Sequence, residues 1–272
     1  MRHSAREYGL LAILAVVAVA TLFPVAWMVA SSVKPEEEIY RDVPTWIPEH
    51  FTVDHYRSLF TRFSFARLTL NSLLISAGAV VTSTLLGSLA AYGFSRYGFT
   101  GSGVLLALIL LARMITPAAL VVPLYTVMKA LHLLNSLVSI TIGIIVLNLP
   151  FVVWMMKPFF DALPTDLEEA AALDGLSAVG VFWRIAVRIA APGIYTVILF
   201  GFITAWVDLL FGISFSTTTQ SMPLTVGLVQ MQTGYEIYWG PMMAGGTYLI
   251  IPTCMLAFAL QKYLIRGIRL GF

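Results

Sequence analysis

Residues 164–175 read Pro-Thr-Asp-Leu-Glu-Glu-Ala-Ala-Ala-Leu-Asp-Gly, a short polar segment between two long hydrophobic stretches. Together with Asp161 just upstream, this segment contains five of the 14 acidic residues of the chain. Taken alone, it fits a docking helix and a well-capped connector without a partner equally well. The hydrophobic stretches on either side decide the class of protein.

The composition is that of a membrane protein. The 272 residues are 59% hydrophobic and 11% charged, whereas a soluble domain carries roughly a quarter charged residues. Each of five runs without Asp, Glu, Lys or Arg exceeds the ~20 residues that cross the hydrocarbon core as a helix. These runs are Tyr8–Val33, Leu68–Ser95, Ala130–Met156, Leu209–Tyr235 and Ile237–Gln261.

The sequence predicts an all-α integral membrane protein with six transmembrane helices. The run from Leu209 to Tyr235 is not counted as a span, because its polar centre and Pro223 are typical of a loop. Two spans with one charge each are added, and they contain Arg113 and Asp208. The predicted spans are Leu10–Ala30, Thr69–Phe94, Val104–Tyr125, Ser136–Met156, Gly193–Ser214 and Pro241–Gln261.

The first hydrophobic run follows Arg2 and Arg6 and therefore has the layout of a signal peptide. Its uncharged stretch from Tyr8 to Val33 is longer than the roughly 7–15 residues of a signal-peptide core. We therefore expect a retained helix.

The distribution of basic residues predicts that both termini face the cytoplasm. The last loop, about 215–240, contains no Lys or Arg, whereas Lys262, Arg266 and Arg269 follow the last span. By the positive-inside rule, the tail and the acidic loop are then cytoplasmic.

Two of the predicted loops are long, and they cover residues 34–67 and 157–192. The first contains Pro35, Pro44 and Pro48, which exclude one continuous helix. Its aromatic residues suit a segment that lies at the outer membrane interface, and they are Trp46, Phe51, Tyr56 and Phe60.

The second long loop contains the acidic segment and predicts a helix of two or three turns. Thr165 and Glu168 have the spacing of a capping box. Ala170–Ala172 are strong helix formers with little bulk, and Gly175 can end the helix in a left-handed conformation. A second, amphipathic helix at the membrane boundary is predicted from Ala178 to Ala190, before Pro192-Gly193.

The loop resembles the EAA motif of the permeases of ABC importers. The residues that carry the resemblance are Glu169-Ala170-Ala171, Asp174-Gly175, and Ile185 ten residues further on. Arg188 stands where the family usually has a proline, and Pro192 retains the later one. Further likeness to the carbohydrate branch, of the maltose type, lies in Ser32–Pro35, Asp54–Tyr56, Asn71-Ser72, Ala90–Arg96, Pro123–Tyr125, Met222–Leu224 and Gln261–Tyr263.

The resemblance implies a type I ABC importer permease fold, with residues 1–272 forming one transmembrane permease domain. It also implies that the chain is the shorter, six-helix subunit of a heterodimeric pair in a bacterial plasma membrane. It implies that the acidic helix is a coupling helix, which docks on a separate ATPase. The implied coupling residues are Glu168, Glu169, Ala170, Ala171, Asp174, Gly175 and Ile185. The implied partners are a second homologous permease subunit, ATPase subunits in two copies or as a pair, an extracytoplasmic solute-binding protein and the lipid bilayer, with an oligosaccharide or disaccharide as cargo.

Residues for covalent chemistry are missing from the sequence. None of the four lysines lies in a Gly-Lys-Ser/Thr motif, so ATP and Mg²⁺ are expected on the partner ATPase and no cofactor is expected here. The four histidines lack metal-ligand spacing, and a net charge of +2 gives no reason to expect nucleic acid. We therefore expect a non-catalytic transport subunit.

Four residues are candidates for the translocation pathway. Arg113 and Asp208 lie inside predicted spans, where a charge is costly unless it is paired or hydrated. Each is equally compatible with a structural charge held by neighbouring helices. Trp206 is a candidate through the family resemblance, in the segment Trp206-Val207-Asp208, where the family commonly has an asparagine between the tryptophan and the acid. Asn71 is a weaker candidate, because an asparagine at the start of a helix is most often a cap.

Three other functions fit parts of the sequence. A permease for another solute, such as a glycerophosphodiester or a polyamine, would share the acidic loop. An ion-coupled secondary transporter would show more intramembrane carboxylates and a visible repeat. A role as a structural membrane scaffold does not explain why the chain has the acidic loop.

Overall fold

The computed structural model describes residues 5–232 and 236–269, with side chains from residue 9 to 261 in that range. Arg2, one of the two basic residues ahead of the first hydrophobic run, lies outside the described residues, as does Tyr235 in the predicted last loop. The described chain is helical, as predicted. In chain order the helices are α1 (Ala5–Ser31), α2 (Glu36–Ile39), α3 (Asp54–Thr61), α4 (Phe65–Arg96), α5 (Ser102–Arg113), α6 (Pro117–Ala130), α7 (Leu137–Asp161), α8 (Thr165–Leu173), α9 (Ala178–Val181), α10 (Val187–Ile189), α11 (Ala191–Trp206), α12 (Leu210–Phe215), α13 (Leu224–Val229) and α14 (Trp239–Arg269).

Four of these helices contain a segment long and apolar enough to cross a membrane: Gly9–Ser31, Phe65–Arg96, Leu137–Asp161 and Trp239–Gln261. Two bent pairs pass the same test, with bends of 100° between α5 and α6 and of 79° between the segment Ala178–Ile189 and α11. If each bent pair is one span, the described residues contain six candidate spans, as many as predicted, although the fifth then covers 178–206 rather than Gly193–Ser214.

The third predicted span, Val104–Tyr125, is not one continuous helix. Helix α5 ends at Arg113, and α6 begins at Pro117 after the extended residue Thr116. The cause is local, because a residue that precedes proline is disfavoured in the helical conformation. Arg113 therefore lies at the end of a helix, next to the bend.

The fifth predicted span, Gly193–Ser214, is also interrupted. Helix α11 ends at Trp206, and Asp208 lies in the connection to α12. The Asp208 carboxylate accepts a hydrogen bond from Gly212 N at 3.2 Å, and the Thr225 hydroxyl donates to the carbonyl oxygen of Asp208. These bonds give the local backbone an alternative to helical pairing.

The described chain divides into two compact units, and the first contains residues up to Phe65 together with Gly227–Pro252. Here the predicted loop 34–67 forms the short helices α2 and α3 and ends earlier than predicted, because α4 begins at Phe65. The absence of one continuous helix from this loop agrees with the prediction from its prolines. Buried Glu38 organises the loop, because its carboxylate accepts from the Thr45 hydroxyl and from Glu49 N. The Thr45 hydrogen bond holds the pKa of Glu38 below its usual value.

The second unit contains Ala66–Val226 and the residues from Thr253 onward. Several close approaches in this unit require glycine; for example, a Cβ on Gly87 would lie 2.6 Å from Val152, and one on Gly143 would lie 2.8 Å from the Phe211 ring. One core cluster, which we call the lower cluster, supports the acidic loop. Its buried members are Ala91, Tyr92, Val152, Val153, Met156, Phe160, Leu163, Phe182, Ala186, Ala190 and Val197.

Candidate functional site: the acidic loop

Helix α8 is the short helix predicted from the acidic segment. It follows Pro164 and ends at Leu173. Gly175 has a φ of +89°, which is the left-handed conformation predicted for it. Gly175 N donates to Ala172 O at 3.0 Å, and Leu176 N donates to Ala171 O at 3.1 Å. This pair of bonds is the Schellman motif, so the glycine ends the helix as expected.

The predicted capping box at Thr165 and Glu168 is wrong. Pro164 precedes the helix, and no side chain caps its first turn. The Glu168 carboxylate oxygen Oε2 instead accepts from Arg96 Nε at 2.8 Å and from the Tyr92 hydroxyl at 3.1 Å. The physical reason is that the helix begins one residue earlier than the capping box requires, so the N-cap is Pro164, which has neither an N–H to donate nor a side-chain oxygen to accept.

Arg96 and Tyr92 tie α8 to the end of α4. The Arg96 side chain also donates through Nη2 to Leu163 O at 2.9 Å. The Tyr92 ring packs against Phe160 at 5.4 Å and Phe182 at 5.1 Å, within the lower cluster. Sequence reasoning missed both roles. The available signal was a basic residue at the end of a hydrophobic run, one loop away from the acidic helix.

The opposite face of α8 is exposed. Glu169, Ala170, Ala172, Asp174 and Gly175 are all exposed, whereas Ala171 is 8% exposed and faces inward. At the end of the helix Leu173 is 90% exposed, the highest value among the exposed large hydrophobic residues. Sequence reasoning did not single out Leu173, because a leucine in a short helix normally indicates the buried face.

The second helix of the loop agrees closely with its predicted range. It consists of α9, a wider π-helical turn at Phe182–Ala186, and α10. Ile185 in the π turn is half-buried, and Arg188 is exposed. The chain bends between Ile189 and Ala191, with Pro192 in the first turn of α11, so the bend forms although Arg188 replaces the usual proline.

The two charged pathway candidates have different partners in the second unit. Arg113 is exposed, and its Nη1 donates to Leu147 O at 3.2 Å, while its guanidinium lies 5.5 Å from the centre of the Phe151 ring. Asp208 accepts from Gly212 N, as described above. Both charges have local partners that suit a structural role, and the pathway role stays a prediction.

The two uncharged candidates are buried. Trp206 is 1% exposed and stacks on Phe202 at 5.5 Å between ring centres. Asn71 lies inside α4 rather than at its start, so it is not a cap. It is 1% exposed, and its amide donates to Gln220 O at 3.0 Å and to Met222 O at 2.8 Å. Whether either residue serves a pathway stays a prediction.

A second asparagine, which sequence reasoning missed, holds the same polar segment. Asn135 has a φ of +59°. Its Oδ1 accepts from Thr217 N and Thr218 N, both at 3.0 Å, and from the Ser221 hydroxyl at 2.6 Å. The polar segment 216–222 is therefore fastened to both α4 and the start of α7.

Comparison with known proteins identifies the family. Residues 83–270 match the model of the family described as the inner membrane component of binding-protein-dependent transport systems. The chain therefore belongs to this family of ABC transporter permeases, which confirms the resemblance found in the sequence. Membership argues against both the ion-coupled carrier and the structural scaffold.

Two relatives and one solved structure illustrate the similarity. The chain is 30% identical to the sulfoquinovosyl glycerol transport system permease protein SmoH of Agrobacterium fabrum, over 92% of this chain and 88% of that protein. It is also 30% identical to the trehalose transport system permease protein SugB of Mycobacterium tuberculosis, over 92% and 91% of the two chains. A chain of a bacterial ABC transporter involved in alginate import has the same fold, with a TM-score of 0.81, 20% identity, and coverage of 97% of this chain and 99% of that chain.

Proposed function

We propose that this chain is one of the two membrane subunits of an ATP-driven importer for an oligosaccharide or disaccharide. It forms half of the translocation pathway and takes its energy from a separate ATPase. The family supports the importer class. The sugar as cargo is supported by two relatives whose names specify transport of sulfoquinovosyl glycerol and of trehalose.

The exposed face of α8 is the observation that carries the proposal. Leu173 is almost fully exposed, and Glu169 and Asp174 lie beside it with their side chains also exposed. An apolar tip with a negative rim fits a partner that offers a small apolar pocket with basic residues around it. Ala170 and Ala172 lack bulk, so they allow the partner's backbone to approach closely.

The proposed importer has three further components besides this subunit. A second permease subunit completes the pathway, ATPase subunits dock on α8 from the cytoplasm, and a solute-binding protein delivers the sugar from outside. Both termini then face the cytoplasm together with α8. ATP and Mg²⁺ bind to the ATPase, and this chain carries no catalytic group.

Reconstitution in proteoliposomes tests the proposal. The complete complex of this chain, its partner permease, the ATPase and the binding protein should hydrolyse ATP faster when a transported sugar is supplied, and should accumulate that sugar. The lone chain should do neither. Sugar accumulation by the lone chain, or a complete complex that responds only to a polyamine or a glycerophosphodiester in a mixed panel, would contradict the proposal.

Two variants test the role of α8 within this system. Glu169→Lys reverses a charge on the exposed face, and Gly175→Val forces a β-branched residue into the left-handed conformation at a φ of +89°. Both variants should reach the membrane and lose sugar uptake. Normal uptake by both would exclude α8 as the docking element.

A further inference from the structure

A part-buried ion pair connects the acidic loop to α4. Arg96 Nε lies 2.8 Å from Glu168 Oε2, and the two side chains are only 12% and 11% exposed. The pair joins the last residue of α4 to the first turn of α8. We call Arg96, Glu168 and Tyr92 the latch, because the Tyr92 hydroxyl donates to the same carboxylate oxygen.

Each of the three guanidinium nitrogens of Arg96 donates one hydrogen bond. Nε binds Glu168, Nη2 donates to Leu163 O at 2.9 Å, and Nη1 donates to the Ser95 hydroxyl at 3.1 Å. Arg96 thus holds both the turn before α8 and the first turn of α8 itself. A lysine offers a point charge without this planar fork, so it cannot make the same set of bonds.

The other end of α4 holds a second segment of the chain. Asn71 donates to Gln220 O and Met222 O, and the Ser72 hydroxyl accepts from Leu224 N at 2.7 Å. We call Asn71 and Ser72 the clamp. Asn71 and Ser72 are both buried. The clamp therefore holds segment 219–224 as the latch holds α8.

Helix α4 connects these two sites without a break. It runs as one helix of 32 residues from Phe65 to Arg96 and contains no proline. The 25 residue-to-residue steps from Asn71 to Arg96 correspond to roughly 38 Å along the helix axis, which exceeds the thickness of the hydrocarbon core. The latch and the clamp therefore lie near opposite faces of the membrane when α4 spans it.

We propose that the latch transmits displacement of α8 to α4, and that α4 carries it to segment 219–224 through the clamp. This inference rests on the proposed function, because the ATPase supplies the displacement. Arg96 and Glu168 are then positioning residues. Their pairing sets how much sugar moves per ATP, and it does not determine whether the ATPase docks.

A second ion pair nearby provides a matched control. Lys157 and Asp161 are 2.6 Å apart near the same end of the molecule, but both belong to α7 and both are more exposed than the latch pair. Lys157→Gln removes the charge of this pair and leaves the hydrogen bond between Asp161 and Ser95 of α4 in place. It should therefore leave the amount of sugar moved per ATP unchanged.

The test measures sugar accumulated per ATP hydrolysed by the complete complex in proteoliposomes. Arg96→Gln and Glu168→Gln should each keep the ATPase bound and lower this ratio about ten-fold, within the range that coupling residues show. Arg96→Lys keeps the charge but loses the fork, and it should give a smaller loss. The double variant should lose no more than either single variant, because both remove the same contact.

The clamp gives an independent arm of the same experiment. Asn71→Asp keeps the size of the side chain and removes the amide donor. It should also lower the sugar-to-ATP ratio, and combination with Arg96→Gln should add little, because both changes interrupt one route. If the sugar-to-ATP ratio of either double variant fell by the product of the two single-variant losses, the proposal would be overturned.

A merely structural role for the latch gives a different result. The variants would then yield less assembled complex while the sugar-to-ATP ratio of that complex stayed at the wild-type value, which would also overturn the proposal. If Arg96→Gln yields no complex at all, the sugar-to-ATP ratios of Arg96→Lys and Tyr92→Phe decide between the transmitting role and the structural role. Failure of the proposed function is distinguishable, because the wild-type complex would then move no sugar.

Discussion

The two faces of α8 differ in almost every physical property. The inner face carries Glu168, whose carboxylate is bonded to Arg96 and Tyr92, and the buried Ala171. The outer face carries Glu169 and Leu173, which are exposed. Neighbouring glutamates in one motif thus serve opposite purposes: one fastens the helix to its own subunit, and the other is available to a partner.

The largest expected effect comes from reversing the charge of these neighbouring glutamates. Glu168→Lys places a cation against Arg96 in a site where the pair is 11–12% exposed, and loss of a buried pair typically costs about 3–5 kcal/mol. Glu169→Lys loses no bond of this kind, so the unfolding midpoint should stay near that of the wild type. Thermal unfolding of both variants in the same detergent measures the difference, and equal destabilisation would contradict the two-face description.

Leu173→Asp is the next largest change, and it acts on the outer face. Because Leu173 is 90% exposed, the subunit should fold normally. Binding of the ATPase should weaken by about 2 kcal/mol or more, the size of an interface hot spot. Co-purification of the ATPase measures this loss. Val43→Asp is the control, since Val43 is 78% exposed in the other long loop, and loss of the ATPase from both variants would contradict the specific role of Leu173.

The smallest expected effect compares two adjacent alanines with one substitution. Ala171→Leu overfills the inner face, which typically costs about 1–3 kcal/mol of stability. Ala172→Leu places the same bulk on the exposed face, so it should leave stability unchanged and weaken the ATPase complex instead. Unfolding midpoints and ATPase co-purification are measured for both variants: only Ala171→Leu should lower the midpoint, and only Ala172→Leu should reduce co-purification. The same phenotype from both alanines would contradict it.

The helix α8 and its end were predictable because the signals are local. Ala170–Ala172 favour a helix wherever they lie, and Gly175 is the residue that most readily takes the left-handed conformation. The uncharged runs predicted the spans for the same reason, since length and polarity suffice to identify them.

The orientation of α8 was not predictable, because it depends on residues distant in sequence. Glu168 turns inward toward the part-buried guanidinium of Arg96, 72 residues earlier. The same limit applies to Asn71, whose partners are about 150 residues away and which therefore fastens a loop instead of capping a helix. The break at Thr116, in contrast, had a local signal in Pro117, and the uniform hydrophobicity around it concealed the break.

Photo-crosslinking from single cysteines on α8 tests the central claim most directly. In the complete complex, with the native Cys254 replaced by serine, a photoreactive thiol reagent is attached at Leu173→Cys or at Ala171→Cys. The two-face account predicts a covalent adduct with the ATPase from position 173 and none from position 171. Equal adducts from both positions, or none from position 173 in a complex that still transports sugar, would contradict it.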